Sequence, residues 1–176
     1  MSGQAVALAK LNGESLQGFL DVCGPVFEHS PWVAARTWAR RPFASLSALH
    51  RELVATVEKA TGEEKIALIC AHPDLVGRLA EQADLSLSAA SAQEQSAAGL
   101  VSLSQEEADR FRQYNEEYHK RFGFPFVICA RENRKEAILE AFPRRLAQSR
   151  DQEIATGLSE IAKIAWLRLK DAVTEE

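Results

Sequence analysis

Three stretches of the chain place a Ser or Thr three residues before a Glu, a spacing that favours the start of a helix. The pairs are Thr61 and Glu64, Ser91 and Glu94, and Ser104 and Glu107. In such a capping box the hydroxyl accepts a hydrogen bond from the third helical amide, and the carboxylate accepts one from the cap amide. The sequence therefore predicts helices that begin just after residues 61, 91 and 104.

Helical signals continue outside these boxes, whereas the alternation of a β-strand is missing. Ser30 is expected to cap a helix with Pro31 in its first position, and four apolar residues further on recur at helical spacing. Those four residues are Leu46, Leu49, Leu53 and Val57. Gly123 is a plausible C-cap, and a last helix is expected from about Asp151. The prediction is an all-α fold in a single domain, residues 1–176.

The stretch "FGFPFVICAR" is the exception, because Pro125 cannot continue the preceding helix and Val127 favours an extended backbone. A single such run has no partner with which to form a sheet. We therefore expect a buried, extended connector between two helices.

Composition excludes several classes of function. The net charge of −4 does not predict a nucleic-acid-binding surface, and the arginines of "RRPF" and "FPRRL" are expected on solvated faces. No segment has the length of a membrane span, and the N-terminus lacks the pattern of a signal peptide. Cys23, Cys70 and Cys129 have no metal-site spacing and are expected to be small buried residues in a reducing compartment, the cytoplasm.

Common catalytic motifs are absent: the chain contains no GxSxG, GxxxxGK, GxGxxG or HExxH. Glu116 and His119 form one Glu-x-x-His pair, but a di-iron site needs a second copy. His119 and His50 are therefore expected at the surface, and His29 is expected to help fix the turn before a helix.

His72 stands out because it follows an apolar helical run and directly precedes Pro73. Proline disfavours helical geometry in the residue before it, so His72 is expected at a helix end with little backbone freedom. One interpretation is a histidine that interacts with the negative end of the helix dipole. The other is a catalytic group held on a rigid frame.

Glu94 also allows two interpretations. It can complete the capping box with Ser91, or it can face the interior, since positions 94, 98 and 101 share a helical face on which Ala98 and Val101 are apolar. A carboxylate on such a face is costly unless it is hydrogen-bonded, and a ligand could supply those bonds.

Arg168 falls on the core-facing stripe of the last helix, with Ile161 and Ala165. A guanidinium keeps its charge, so at such a position it needs an acidic or strongly accepting partner. The alternative is a snorkelling side chain whose head reaches water.

Taken together, the segments resemble the OHCU decarboxylase family, whose members convert 2-oxo-4-hydroxy-4-carboxy-5-ureidoimidazoline to (S)-allantoin in urate degradation. The resemblance rests on "FEHSPWVAARTWARRPF", "ALICAHPDLVGRLA", "SAQEQSAAGL", "FGFPFVICAR" and "EIAKIAWLRL", which occur in family order over nearly the whole chain. Trp166 departs from the family pattern, in which smaller or polar residues are common.

The resemblance implies an all-α fold of about eight helices, a homodimer, and neither a metal nor an organic cofactor. It implies that His72 and Glu94 form the catalytic pair. It also implies that a small-molecule substrate, a ureido-imidazoline acid, contacts a further set of residues. These are Pro73, Ser91, Gln95, Phe124, Ile128 and Arg168. Two alternatives stay open: a non-catalytic helical interaction module, and a decarboxylase of a related ureido-imidazoline acid.

Overall fold

A computed structural model describes residues 5–76 and 88–176 of the chain. Within these ranges the structure is built from α-helices, which confirms the predicted all-α class. By its internal contacts the chain divides into two compact units, residues 1–71 with 162–176 and residues 72–161. The prediction of one domain over residues 1–176 stays a prediction.

The first unit contains five helices and the end of a sixth. The five are α1 (Leu8–Gly13), α2 (Leu16–Cys23), α3 (Trp32–Thr37), α4 (Leu46–Glu58) and α5 (Gly62–Cys70). Short 3-10 turns follow α2 and α3, at Gly24–Val26 and Trp38–Arg40. The long helix α9 (Arg150–Ala172) contributes its C-terminal part to this unit.

The four apolar residues of α4 that recur at helical spacing are all buried, as predicted. They pack in a core with apolar side chains from α1, α2 and α3, among them Leu11, Phe19 and Val33, which are fully buried. This burial of one apolar stripe per helix supplies the main favourable term for folding of the unit.

The first unit also contains two very short strands, which pair with each other. Val6–Ala7 (β1) pairs in parallel with Val173–Thr174 (β2), with Val6 opposite Val173. Each strand has two residues, too few for an alternating pattern to be visible in the sequence.

The second unit contains α6 (Ala89–Ala97), α7 (Gln105–Phe122), α8 (Lys135–Leu146) and the N-terminal part of α9. A 3-10 turn, Ala130–Glu132, precedes α8. The core of this unit is aromatic: the rings of Phe126 and Phe142 stack with centroids 3.8 Å apart, and Phe111 meets Phe142 edge-on.

Two of the three predicted capping boxes are present. Thr61 and Glu64 exchange both cap hydrogen bonds at the start of α5, and Ser104 and Glu107 do so at the start of α7. The Glu64 carboxylate also accepts a hydrogen bond from Arg36, which together with the bond from the Thr61 amide lowers its pKa to about 2. Gly123 ends α7 with φ of 80°, the left-handed conformation expected of a C-cap glycine.

The start of α3 differs from the prediction by one residue. The helix begins at Trp32, Pro31 occupies the cap position, and no side chain caps it, so Ser30 is not the N-cap. The carbonyls of Ser30 and Pro31 nevertheless accept the first helical hydrogen bonds, because proline already has a helical φ. The last helix begins at Arg150, one residue before the predicted start.

No helix in the described ranges combines the length and the apolar composition needed to cross a membrane.

Candidate functional site

His72 lies directly after the end of α5, as the His-Pro pair predicts. The helix ends at Cys70, Ala71 is its C-cap, and Pro73 follows His72. The side chain of His72 is buried, with 7% of its surface exposed, and Pro73 is half-buried. Because proline restricts the backbone on both sides of the peptide bond, the imidazole is held by a stiff support.

The capping interpretation of Glu94 is wrong. Helix α6 begins at Ala89 and its N-cap is Ser88, whose hydroxyl accepts the hydrogen bond from the Ser91 amide. Glu94 therefore lies in the middle of the helix, too far from the cap amide to complete a box. The sequence offers two serines three residues apart, and the structure uses the earlier one.

The inward face of α6 is polar. Its buried residues are Ser91, Glu94 and Gln95, each less than a tenth exposed. The apolar face expected from positions 98 and 101 is only half correct: Ala98 is buried, but the helix ends at Ala97 and Val101 is 59% exposed. A surface helix of this length normally buries apolar side chains, so this face needs another explanation.

The segment that carries His72, residues 71–76, is joined to α6 by Gln95. The side-chain oxygen of Gln95 accepts a hydrogen bond from the amide of Val76, with 3.4 Å between the two atoms. The same face of α6 thus holds Glu94 and secures the chain four residues after His72. The structure brings the predicted residues His72, Pro73, Ser91, Glu94 and Gln95 into one unit.

The predicted connector is confirmed: residues 124–129 form no strand, and all but Ile128 are buried. Phe124 packs on Tyr118 and Phe122, with ring centroids 6.0 and 5.9 Å away. Ile128 is half-buried, which leaves part of its side chain accessible to a ligand.

Cys129, at the end of the connector, is a buried free cysteine. Burial is the main cause that raises the pKa of the Cys129 thiol to about 11, and the charges of Glu132, Glu160 and Glu94 add to the increase. Helix α6 packs against the 3-10 turn Ala130–Glu132, which begins two residues after Ile128.

Arg145 is buried, so the prediction that both arginines of "FPRRL" lie on a solvated face is wrong. Its guanidinium binds the Glu153 carboxylate, with its Nη2 2.9 Å from Oε2, and donates to the carbonyl of Val127 over 2.6 Å. Tyr118 donates a short hydrogen bond to the same carboxylate. Burial, together with this bond, raises the pKa of the Tyr118 hydroxyl well above its usual range.

This network is a feature that sequence reasoning missed. A glutamate and an arginine eight residues apart, on different helices, resemble any two charged surface residues. Only the position of Arg145 next to the buried face of α8, with Phe142 and Leu146 nearby in the chain, could have indicated it.

Arg168 belongs to the first unit and has the acidic partner that its position requires. Its Nη1 lies 2.8 Å from Oε2 of Glu28, and both side chains are buried. The snorkelling alternative is therefore wrong. Glu28 was missed in the sequence, although a glutamate directly after the apolar pair Val26 and Phe27 is a signal for a buried carboxylate.

His50 and Cys70 differ from expectation, and His119 has a partner that the sequence did not indicate. His50 is half-buried, bonds the carbonyl of Ala162 and packs on Trp166, so it is not a solvated surface residue. His119 is 41% exposed, as expected, but its Nε2 lies 2.7 Å from Oδ1 of Asp74. Cys70 is exposed, whereas Cys23 and Cys129 are buried.

Within the described ranges, no group of three or more His, Cys, Asp or Glu side chains is arranged to hold a metal ion. Glu116 and His119 therefore do not form part of such a group. The polar residues of α6 and of the segment after α5 instead suit a small polar molecule, because they combine one imidazole, one carboxylate and one amide.

Comparison with known proteins gives one consistent result. The model of the OHCU decarboxylase family matches residues 12–170. The chain is 39% identical to the 2-oxo-4-hydroxy-4-carboxy-5-ureidoimidazoline decarboxylase of Haloferax volcanii, over 97% of this chain and 98% of that protein. It is 37% identical to the mouse protein of the same name, over 93% of this chain and 91% of that protein.

Longer proteins contain a similar part. The chain is 41% identical to the uric acid degradation bifunctional protein PucL of Bacillus subtilis and spans 32% of its length. A crystal structure of (S)-allantoin synthase matches with a TM-score of 0.75 and 27% identity, over 96% of this chain and 54% of that one. A crystal structure of OHCU decarboxylase in the presence of (S)-allantoin has a TM-score of 0.65 at 20% identity, which shows the shared fold.

The match of the family model over most of the chain and the near-full-length relatives agree with the fold. The chain belongs to the OHCU decarboxylase family.

Proposed function

We propose that this protein decarboxylates 2-oxo-4-hydroxy-4-carboxy-5-ureidoimidazoline to (S)-allantoin, with His72 and Glu94 as its catalytic residues. The observation that carries the proposal is the polar inward face of α6. Ser91, Glu94 and Gln95 are buried together on a helix of nine residues, and Gln95 also holds the segment that follows His72. A short helix normally buries apolar side chains, and this set of polar groups suits the binding of a polar ligand.

The reaction needs a sink for electrons. When CO2 leaves, the electron pair of the broken C–C bond forms a C=C bond to the neighbouring ring carbon, and the pair of the C=N bond moves to the ring nitrogen, which takes up a proton. The product is an enol, and allantoin forms when the enol loses its hydroxyl proton and the neighbouring carbon gains a proton on one face. The substrate itself therefore supplies the sink, and the protein must orient it, exclude water and control three proton movements.

His72 is the acid–base group in this proposal. An imidazole changes its charge near neutral pH, so it can accept the hydroxyl proton or deliver a proton to one face of the enol. Its burial and the stiff backbone at Pro73 favour a fixed direction of proton movement.

Glu94 and Gln95 bind the N–H groups of the ureido chain and the ring. A carboxylate accepts two such bonds, and an amide can both donate and accept. Bonds of this kind fix the conformer in which the breaking C–C bond stands across the ring π-system, so that its electrons overlap with the sink. Ser91 and Pro73 belong to the same set of contacts.

Three further residues complete the proposed set. Ile128 and Phe124 of the connector supply apolar surface, which strengthens the polar contacts by excluding water. Arg168 anchors a carboxylate or carbonyl of the substrate, since a guanidinium presents two parallel donors. Its pairing with buried Glu28 fixes the guanidinium and balances its charge.

We also propose that the chain forms a homodimer in the cytoplasm. The dimer is implied by family resemblance, and the three free cysteines suit a reducing compartment. Light scattering on the purified protein is expected to give twice the chain mass of 19.4 kDa, and a mass of one chain would contradict the dimer.

Circular dichroism tests the reaction directly. The unstable substrate is generated in situ from urate, and the signal of (S)-allantoin is followed with and without the protein. We expect rapid growth of the signal with the natural protein and loss of at least about 100-fold in turnover for His72→Ala. A trace that follows only the slow decay to racemic product would contradict the proposed function, and the non-catalytic interaction module would then be favoured.

The alternative substrate is tested in the same assay. If the protein turns over a related ureido-imidazoline acid in preference to the proposed substrate, that acid is its substrate and the reaction is still a decarboxylation.

A further inference from the structure

Helix α7 contacts the segment that carries His72 at two points on one of its faces. Asn115 donates from Nδ2 to the carbonyl of Leu75 over 2.8 Å. One turn further along the helix, the Nε2 atom of His119 lies 2.7 Å from Oδ1 of Asp74. Residues at this spacing lie next to each other on a helix, so the two side chains act on consecutive residues of the segment.

The backbone of this segment is strained at one residue. Val76 has φ of 66°, in the left-handed region, which a β-branched side chain rarely adopts. Such a conformation persists only where the surroundings enforce it. Among the described residues, Asn115 bonds the carbonyl of Leu75 and Gln95 bonds the amide of Val76, from two different helices.

Asn115 is buried, and only one end of its side-chain amide is hydrogen-bonded among the described residues. Its side chain is 6% exposed, and its Oδ1 is buried with no hydrogen-bond partner within the part of the chain that the structure describes. A buried amide with one unsatisfied atom contributes little to stability. The presence of asparagine at this position is better explained by the hydrogen bond from its Nδ2 to the carbonyl of Leu75.

We propose that Asn115 and His119 are positioning residues for His72. Asn115 holds the backbone carbonyl of Leu75 and His119 holds the side chain of Asp74, while Gln95 holds the amide of Val76. These three contacts contribute to the direction of the His72 imidazole relative to Glu94, because Pro73 leaves the backbone between them little freedom. This inference rests on the proposed function only for its consequence in catalysis.

The expected effect is on kcat rather than on KM. A small displacement of a catalytic group weakens the step in which it moves a proton, while most contacts that bind the substrate remain. We expect Asn115→Leu and His119→Ala each to lower kcat about tenfold and to change KM less than about twofold. His119→Gln retains an N–H donor at a similar distance and is expected to restore most of kcat.

Stability separates positioning from folding. Asn115→Leu removes the unsatisfied oxygen together with the bond to Leu75, so its effects on the free energy of unfolding oppose each other. His119 is 41% exposed, and its replacement by Ala should leave the melting temperature close to that of the natural protein. The matched control is Lys120→Ala, the exposed neighbour of His119 on α7, which should leave kcat, KM and melting unchanged.

The experiment combines the circular dichroism assay with NMR of the histidine rings. The chain has four histidines, so single substitutions assign the ring signals. We expect the His72 signal to move in Asn115→Leu and His119→Ala, to return toward its natural position in His119→Gln, and to stay in place in Lys120→Ala.

The two proposals fail in different ways. If the natural protein produces no (S)-allantoin above the spontaneous rate, the proposed function fails, and the His72 ring signal alone still decides whether α7 positions that side chain. If the natural protein is active but both variants keep kcat within about twofold and leave the His72 signal unmoved, the positioning inference is overturned. A rise in KM without loss of kcat would also overturn it.

Discussion

Helices α6 and α7 are neighbours in the chain and follow opposite rules. α7 has a complete capping box, a glycine C-cap and three aromatic side chains among its four buried residues. α6 has a serine cap without an acidic partner, and its three buried residues are all polar. The caps and the buried aromatic side chains of α7 are explained by folding. The buried carboxylate of α6 is explained by its proposed role in the reaction.

The largest effect that the comparison predicts is on turnover. Replacing Glu94 of α6 by Gln removes the negative charge but keeps the shape, so we expect kcat to fall by at least about 100-fold. Glu116→Gln makes the same change at an exposed position of α7 and should leave kcat unchanged. Steady-state circular dichroism of both variants makes the measurement. Equal activities would remove the functional distinction between the two helices.

The next effect is on stability and concerns the network of Tyr118 on α7, Arg145 on α8 and Glu153 on α9. Glu153→Ala leaves the Arg145 guanidinium buried without its carboxylate and removes the acceptor of Tyr118. We expect the free energy of unfolding to fall by about 3–5 kcal/mol, as for other broken buried ion pairs. Urea unfolding measures it, with Glu116→Ala as the exposed control. A loss below about 1 kcal/mol would show that the network contributes little to the fold.

The two N-caps should contribute similarly, although only one was found in the sequence. Ser88→Ala and Ser104→Ala each remove a side-chain acceptor at the start of a helix, and each should cost about 1 kcal/mol in the free energy of unfolding. Thermal unfolding of the two variants provides the test. A neutral Ser88→Ala would mean that α6 does not begin at Ala89.

The smallest effect is a dependence of stability on pH that α7 should show and α6 should not. Hydrogen bonds from Lys135 and from the Ser104 amide hold the pKa of Glu107 below its usual 4.5. A lowered pKa in the folded state stabilises above that usual value, and the stabilisation is lost as the pH falls below it. α6 has no acidic residue in its first turn.

Amide hydrogen exchange at several pH values resolves this difference. Protection of the first turn of α7 should decrease as the pH falls below about 4.5, and Glu107→Gln should abolish that dependence. A similar decrease at the start of α6 would contradict the assignment to Glu107.

The helices could be predicted because their signals are local. Thr61 with Glu64, Ser104 with Glu107, and the apolar stripe of α4 each lie within a few turns of one helix, and all were found. The Ser91 prediction failed for a local reason as well: two serines compete for one cap, and the spacing to Glu94 favoured the wrong one.

The partners of buried charges could not be predicted, because they depend on contacts distant in sequence. Arg168 was expected to need an acid, but nothing in its helix indicates Glu28, 140 residues earlier. Arg145 was assigned to the surface because its pairing with Glu153 and Val127 exists only in the folded chain. The pairing of Asp74 with His119 was missed for the same reason.

Glu94 gives the most direct test of the account, because one variant can separate its two possible purposes. In Glu94→Leu a buried carboxylate becomes an apolar side chain of similar size. (S)-Allantoin formation and urea unfolding are then measured on the same preparation. We expect no turnover above the spontaneous rate from a variant that still unfolds cooperatively in urea. Turnover close to that of the natural protein would contradict the catalytic role of Glu94.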